Sequence, residues 1–100
     1  NQFIVPVVEQ AEVQALVILS ISLEVRPGTT EAVYTQEPKL RDAFLQVLFD
    51  HANAGGFNGA FTSSTNMDVL RQSLLETAQA VIGKSVRNVL IVDIVRQDSQ

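Results

Sequence analysis

Several residue types are missing or nearly missing from this sequence of 100 residues: it has no cysteine, no tryptophan and a single histidine, His51. Without cysteine the chain can form neither a disulfide nor a thiolate-bound zinc site, and thiol chemistry is excluded. One histidine cannot supply a metal site that needs two imidazole ligands from the same chain. The composition therefore excludes disulfide-stabilised folds and metal sites built on cysteine or on several histidines.

Long apolar runs and clustered positive charge are absent as well. The longest uninterrupted apolar runs are Ala15–Leu19 and Val89–Val92, whereas a helix that crosses a membrane needs about 20 such residues. Seven basic and eleven acidic residues give a net charge of −4, and the basic residues are scattered along the chain. Nucleic acids and anionic lipid surfaces attract clustered lysine and arginine, so we expect no nucleic acid partner and no binding to such a surface.

Strand-like alternation dominates the first quarter of the sequence. From Ala11 to Val25 every odd position is apolar, which predicts a strand about three times the usual length. Leu16 and Ile18 make its middle apolar on both faces, so we expect another chain or element to cover the outer face there. Ahead of it, Phe3–Val8 predicts a short strand, and Pro6 favours an edge position because proline donates no ladder hydrogen bond.

Two helices are predicted in the middle of the sequence. A short helical lead-in from Glu31 precedes a main helix from Pro38 to about Ala52, since proline is tolerated in a first turn. A second helix covers Met67–Ile82 and ends at Gly83, the usual kind of left-handed terminator. The candidates for its N-cap are neighbouring polar residues: Ser64, Thr65 and Asn66.

A glycine-rich loop and a final strand complete the predicted domain. The loop, Asn53–Asn66, carries Phe57 and Phe61, and two aromatic side chains in a polar loop either fold over the core or are presented to a partner. After the second helix, Val86–Arg96 is apolar on both faces, which predicts a central strand. The element order is β-β-α-α-β, and we expect one α+β domain with its helices packed on one face of an antiparallel-rich sheet.

No enzyme signature accompanies these elements. His51 with Ser63 or Ser64 would supply a base and a nucleophile, but no nucleophile-elbow pattern surrounds the serines, and packing near a helix C-terminus explains the histidine more simply. The glycine-rich stretch follows a helix and lacks the Lys and Ser/Thr of a phosphate-binding loop. Asp93 interrupts the last strand and needs a partner, such as Arg87, if it is buried.

Three blocks of the sequence carry a resemblance to a known family. They are Ile18–Val25 (ILSISLEV), the helix Glu37–Leu48 with Pro-Lys-Leu-Arg-Asp near its start, and the closing Val89–Gln97 (VLIVDIVRQ). The helix Met67–Ile82 lies between the last two blocks, and the opening Gln2–Val8 is similar to the start of the family's periplasmic domain. In their order and spacing these segments resemble the flagellar basal-body family FliL over nearly the whole chain.

The resemblance implies a location, a fold and a set of partners. It implies that residues 1–100 form one periplasmic domain, and that the parent protein is held in the bacterial inner membrane by an anchor outside this chain. The start at Asn1, without Met, fits a segment of a longer protein. The fold is expected to be similar to the stomatin-type (SPFH) domain. Members associate with the flagellar stator as rings and support stator engagement and torque in swimming or swarming, and neither enzymatic activity nor a cofactor goes with the family.

Candidate contact residues follow from the ring that the resemblance implies. A ring of identical subunits needs two different patches that meet head to tail. We expect Leu16, Ile18 and the edge strand with Phe3 to supply one patch. The loop residues Phe57 and Phe61 are expected to supply the other patch or a contact with the stator.

A different class of function stays open. The chain could be a small regulatory domain of α+β type whose glycine-rich loop closes over a metabolite. A small-molecule ligand would stabilise such a domain, whereas an interaction scaffold would bind itself or a segment of another protein.

Overall fold

The computed structural model describes residues 2–99, which form a three-stranded antiparallel sheet and three helices. The elements in chain order are β1 Gln2–Glu9, β2 Glu12–Val25, α1 Thr30–Thr35, α2 Glu37–Asn53, α3 Ser64–Val81 and β3 Val86–Asp98. The α+β class and the order β-β-α-α-β are confirmed, with α1 as the predicted lead-in to the main helix. None of the helices within residues 2–99 combines the length and the hydropathy that crossing a membrane requires.

β1 and β2 form a hairpin whose turn consists of Gln10 and Ala11. Both residues have positive φ angles, 53° and 66°, as in the two-residue turns whose twist matches that of the flanking strands. Such turns favour Gly, Asn and Asp because a Cβ atom makes the left-handed backbone costly. Gln-Ala therefore gave no turn signal in the sequence, and β2 begins at Glu12 rather than at Ala11.

β2 is the central strand of the sheet, flanked by β1 and β3. The edge position expected for Phe3–Val8 is confirmed. The expectation that Val86–Arg96 is central is wrong, because β3 pairs with β2 alone among the described residues. Its apolar side chains on two faces have different surroundings: Val89 is buried against the helical layer, while Leu90 lies on the other face and is exposed.

The helices begin and end close to the predicted positions. Pro38 lies in the first turn of α2, as expected. The N-cap of α3 is Ser63, whose Oγ accepts a hydrogen bond from the Asn66 backbone N–H at 3.3 Å. The cap therefore lies just ahead of the three expected candidates. Gly83 follows α3 with a φ of 129°, in line with its predicted role as terminator.

The core lies between one face of the sheet, here called the inner face, and the facing sides of α2 and α3. Alternate residues of the strands meet a stripe along each helix, which is the usual packing of a sheet against amphipathic helices. The buried apolar residues are Phe3, Val5, Val7, Ala15, Val17, Leu19, Ile21, Leu40, Phe44, Leu48, Ala52, Phe57, Met67, Leu70, Leu74, Ala78, Val86 and Val89. Within residues 2–99 no polar or charged residue is buried, and Asp93, which pairs with Ser20, is exposed.

Candidate interaction surface

The outer face of the sheet carries a continuous apolar surface, here called the open face. It consists of Ile4, Pro6, Val8, Val13, Leu16, Ile18 and Val95, and Leu90 lies on the same face beyond a polar row that contains Ser20 and Asp93. The outer face thus holds six of the ten exposed large apolar residues found within residues 2–99. The largest apolar patch on the surface of a soluble domain is often functional, so this concentration makes the outer face of the sheet the candidate contact site.

Cross-strand pairing explains why the open face is continuous. Ile4, Ile18 and Val95 lie side by side across the three strands, and Pro6, Leu16 and Gln97 form the next row. At about 4.8 Å between strands and about 6.6 Å between side chains on one face of a strand, the seven contiguous side chains cover roughly 220 Å² of the sheet. No other element in residues 2–99 packs on this face, since α2 contacts β1 and α3 contacts β3 on the inner side. Leu16 and Ile18 thus lie at the centre of an uncovered sheet face.

The loop aromatics occupy two different environments. Phe57 is completely buried, and its ring meets the His51 ring edge-on with 4.8 Å between centroids. Phe61 is only half-buried and packs against the margin of the core. Of the two alternatives drawn from the sequence, folding over the core describes Phe57, and Phe61 keeps part of its ring accessible.

Phe3 is also a core residue rather than an exposed one. Its side chain points to the inner face of β1, where the rings of Phe3 and Phe44 lie 6.0 Å apart. The guanidinium of Arg41 covers the Phe3 ring at 4.4 Å, and its Nη2 donates a hydrogen bond to the Gln2 carbonyl at 2.7 Å. The side chains of Phe3 and Phe57 therefore offer no surface to a partner, and Leu16, Ile18 and Phe61 remain as the accessible candidates.

Arg96 anchors the glycine-rich loop, a role that the sequence did not indicate. Its Nη1 donates to the Phe57 carbonyl at 2.7 Å and to Asn58 Oδ1 at 2.8 Å, while its Nε donates to Asp98 Oδ1 at 2.6 Å. Asn58 in turn donates to Glu9 at 3.2 Å. Arg96 continues the inner-face alternation of β3 after Ile94, and a charged residue at such a position was the available signal. The loop is thus joined to the ends of both edge strands.

The other end of the loop is anchored from α3. Asn66 Nδ2 donates to the carbonyls of Gly56 and Phe61, at 2.8 Å and 2.6 Å. Together with the Arg96 contacts, these bonds fix the loop over the core. The loop is therefore a cover for Phe57, and an open pocket of about 550 Å³ lies beside it, lined by Asn58, Phe61 and Arg96 among others.

The surroundings of His51 fit a role in packing better than a role in catalysis. Its Nε2 is buried without a hydrogen-bond partner, and within residues 2–99 no hydrogen bond joins it to Ser63 or Ser64. Burial lowers the pKa of His51 below its ordinary value, and the backbone of Gly56 acts weakly in the opposite direction. A neutral imidazole packed on Phe57 follows, and the Ser63 hydroxyl serves as a helix cap. No group of three or more His, Asp or Glu side chains in the described part of the chain is placed to hold a metal ion.

Comparison with known families gives a match that extends over most of the chain. A family model described as flagellar basal body-associated protein FliL matches residues 1–97, which is essentially the whole chain. No curated protein sequence gives a significant match. The match includes the open face, the loop and Arg96. The chain therefore belongs to the FliL family of flagellar basal body-associated proteins.

Proposed function

We propose that this domain is a non-enzymatic accessory of the flagellar motor that associates with stator subunits. In this proposal it works on the periplasmic side of the bacterial inner membrane, with the anchor of the parent protein outside residues 1–100, and supports stator engagement and torque in swimming or swarming. Family membership supports the association with the flagellar basal body. The observation that supports association with stator subunits is the open face, because burial of exposed apolar area against a protein partner is favourable.

The proposal includes self-association into a ring. Ring closure needs two different patches on each subunit, and the open face around Leu16 and Ile18 is assigned to one of them. The outer surface of the loop at Phe61 is assigned to the second patch or to the stator. A stable interface buries about 800 Å² per partner, so the open face, at roughly 220 Å², supplies roughly a quarter of such a patch and its polar surroundings the rest. The similarity to the stomatin-type domain stays a prediction.

The absence of catalysis in this proposal is supported by the environments of the polar residues. The lone histidine packs against Phe57, and the serine nearest to the loop end caps a helix. Neither is arranged as a base next to a nucleophile, which must lie within hydrogen-bond reach of one another. We propose that no cofactor is needed.

Site-specific photocrosslinking in flagellated cells tests the contacts. A photoreactive residue replaces Val95 on the open face or Phe61 on the loop, with Val69 as the control because it is exposed on α3, 56% accessible, away from both surfaces. We expect products with a second copy or with a stator subunit from positions 95 and 61 and none from position 69. Equal products from all three positions, or none from an expressed protein, would contradict the assignment.

A double substitution tests whether the open face drives self-association. Leu16→Thr combined with Ile18→Thr keeps strand propensity high and removes apolar area from the centre of the face. We expect sedimentation velocity to show loss of the oligomer and swarming to decline, with little change in melting temperature. Val69→Thr is the matched control and should leave both properties unchanged. An intact oligomer in the double variant would show that another surface closes the ring.

The alternative of a regulatory ligand-binding domain has less support. Its predicted lid, the glycine-rich loop, is fixed on the core by hydrogen bonds from Arg96 and Asn66, so it is not free to close over the pocket beside it. A ligand that binds only the folded state raises the melting temperature in proportion to the logarithm of its concentration. A screen of periplasmic small molecules that gives such a rise, abolished by substitutions around the loop, would favour the alternative over the scaffold.

A further inference from the structure

Asn58 is followed in the glycine-rich loop by a backbone nitrogen that is chemically accessible. Within residues 2–99 the Gly59 N–H donates to no acceptor. Gly59 has a φ of 59°, and a Cβ atom at this position would meet open space. The nitrogen after Asn58 is therefore neither engaged in a hydrogen bond nor shielded by a side chain, and it can approach the carbon of the Asn58 side-chain amide.

The other asparagines within residues 2–99 lack this arrangement. The residues that follow Asn53, Asn66 and Asn88 carry side chains, and their backbone N–H groups donate hydrogen bonds. The bonds run from Ala54 to the Asp50 carbonyl at 3.0 Å, from Met67 to the Ser63 carbonyl at 2.9 Å and from Val89 to Asn88 Oδ1 at 2.9 Å. Each nitrogen would have to break its hydrogen bond before it could react.

The amide of Asn58 is also oriented towards a positive charge. Its Oδ1 accepts a hydrogen bond from Arg96 Nη1 at 2.8 Å, and its Nδ2 donates to Glu9 Oε2 at 3.2 Å. Arg96 is held in place by a further bond to the Phe57 carbonyl. A fixed guanidinium next to Oδ1 stabilises the negative charge that forms on this oxygen when a nucleophile attacks the amide carbon.

We propose that Asn58 and Gly59 form a self-modifying site, at which the Gly59 backbone nitrogen attacks the Asn58 side chain and converts it to aspartate or isoaspartate. The reacting groups are adjacent in the chain, so the attack is intramolecular and needs no enzyme. The proposal does not depend on the ring or on the stator contact proposed above.

The reaction consumes one water molecule and releases ammonia. The Gly59 nitrogen loses its proton to solvent and bonds to Asn58 Cγ, while an electron pair of the carbonyl moves to Oδ1. The pair then returns, Nδ2 takes up a proton, and ammonia leaves behind a cyclic succinimide. Water adds to either carbonyl of the ring and breaks its bond to nitrogen, which gives aspartate or isoaspartate.

The product changes how the loop is anchored. An ionised carboxylate at position 58 still accepts from Arg96 but cannot donate to Glu9. The two carboxylates would repel each other instead, so the loop would lose its bond to the end of β1. Isoaspartate in addition lengthens the backbone directly after Phe57. Conversion would therefore loosen the loop that carries Phe61.

Peptide mapping of the folded protein tests the proposal. Trypsin releases the fragment Asp42–Arg71, which holds Asn53, Asn58 and Asn66 and thus contains its own controls. After incubation at neutral pH, mass spectrometry should show the side-chain NH2 replaced by OH at Asn58, as both aspartate and isoaspartate. Asn53 and Asn66 should convert at least about tenfold more slowly, because their following N–H groups are bonded. Equal conversion at all three positions, or none, would overturn the proposal.

The same mapping in urea measures what the fold contributes. Unfolding removes the hydrogen bonds that protect Asn53 and Asn66, together with the contact between Arg96 and Asn58. The preference for Asn58 should therefore fall severalfold, and the preference that remains reflects the missing side chain of Gly59. An unchanged preference would contradict the roles assigned to these hydrogen bonds and to Arg96.

A substitution at the attacking residue tests the role of its backbone. Gly59→Ala adds a methyl group beside the nitrogen and should slow conversion of Asn58 by at least about tenfold, since small displacements of reacting groups have large effects on rate. Gly28→Ala is the matched control, because its Cβ also meets open space at a positive φ of 88°. It should leave the rate unchanged. Equal slowing in both variants would trace the effect to backbone strain and contradict the role of Gly59.

Asn58→Asp reproduces the charge of the product and tests its consequence. We expect faster amide hydrogen exchange at Gly56 and Asn58, whose N–H groups donate within the loop region. Adding Glu9→Gln should restore slow exchange, because a glutamine amide can donate to the new carboxylate. Asn88→Asp adds the same charge outside the loop and should leave the exchange as it is. Wild-type exchange in Asn58→Asp would show that conversion does not loosen the loop.

Discussion

The inner and outer faces of the sheet are built from similar residues and have opposite surroundings. In β2, Val17 and Leu19 on the inner face are buried by α2 and α3, while Leu16 on the outer face stays 37% exposed. Both faces are therefore apolar, but only one contributes to the folding core. The difference indicates that the inner side chains stabilise the fold and that the outer ones are available for association. Each of the following substitutions tests this division of roles.

The largest loss of stability is expected in the loop, where one aromatic residue is buried and another is partly exposed. Phe57→Ala removes a completely buried ring and should lower the free energy of unfolding by about 3–5 kcal/mol. Phe61→Ala, at a half-buried position, should cost clearly less. Urea unfolding of both variants measures the difference. Similar losses for both would mean that Phe61 is as much a part of the core as Phe57.

A pair of identical substitutions in β2 compares the two faces directly. Leu19→Ala deletes an inner-face side chain that is 1% exposed and should cost about 2–5 kcal/mol. Leu16→Ala, three residues earlier on the outer face, should cost less than about 1 kcal/mol, because much of that side chain already contacts water. Chemical denaturation with the monomer isolated at low concentration gives both values. Equal costs would show that the open face is covered in the monomer.

Gly56 tests how closely the loop is packed on the core. A Cβ atom there would lie 2.3 Å from His51 Nε2 and 2.5 Å from Cδ2, so Gly56→Ala should displace the imidazole and cost about 1–3 kcal/mol. Gly28→Ala serves as the control for backbone effects without a clash, since its Cβ would meet open space at a positive φ of 88°. Thermal unfolding should show the larger decrease for Gly56→Ala, together with a shift of the Phe57 ring resonances.

His51 makes the stability of the loop region depend on pH. Its pKa is lowered in the folded state, mainly by desolvation, so the unfolded state binds the proton more strongly. The contribution of His51 to stability is therefore fully present above the unfolded pKa of about 6.5 and is lost as the pH falls from there through the folded pKa. Urea unfolding between pH 7.5 and 5.5 should show this decline, and His51→Gln should flatten it. An unchanged slope in the variant would assign the decline to other groups.

The smallest effect concerns the turn that sets which residues face inward. Ala11 has a φ of 66°, so Ala11→Gly should relieve left-handed strain and raise the free energy of unfolding by about 0.5–1 kcal/mol. Register is coupled to turn geometry, and a slip of one residue would exchange the inner and outer faces of β2. Inserting a residue next to Ala11 should therefore destabilise the domain far more than the glycine helps it. Circular dichroism melts compare the two variants.

Periodicity in the sequence was enough to predict most of the helices and strands. The alternation around Leu16 and Ile18 correctly identified a strand that is apolar on both sides. It could not assign β3 to an edge, because an edge strand with an apolar outer face has the same alternation-free composition as a central strand. The pattern in β3 indicates that both faces are apolar. Only the packing of the helices shows which face is covered.

The loop was the least predictable part because its structure depends on distant residues. Phe57 is buried in a loop whose backbone is held by Arg96 and Asn66 from two other elements, and no local pattern encodes those bonds.

The bond between Arg96 and the loop also imposes an order of events when the chain is made. It joins residues that are 39 positions apart, so the loop is synthesised well before the side chain that holds it. At about 5–20 residues per second, the delay is roughly 2–8 s. During that interval the loop lacks the hydrogen bonds from Arg96, and we expect it to be fixed over the core only once β3 has been made and has paired with β2.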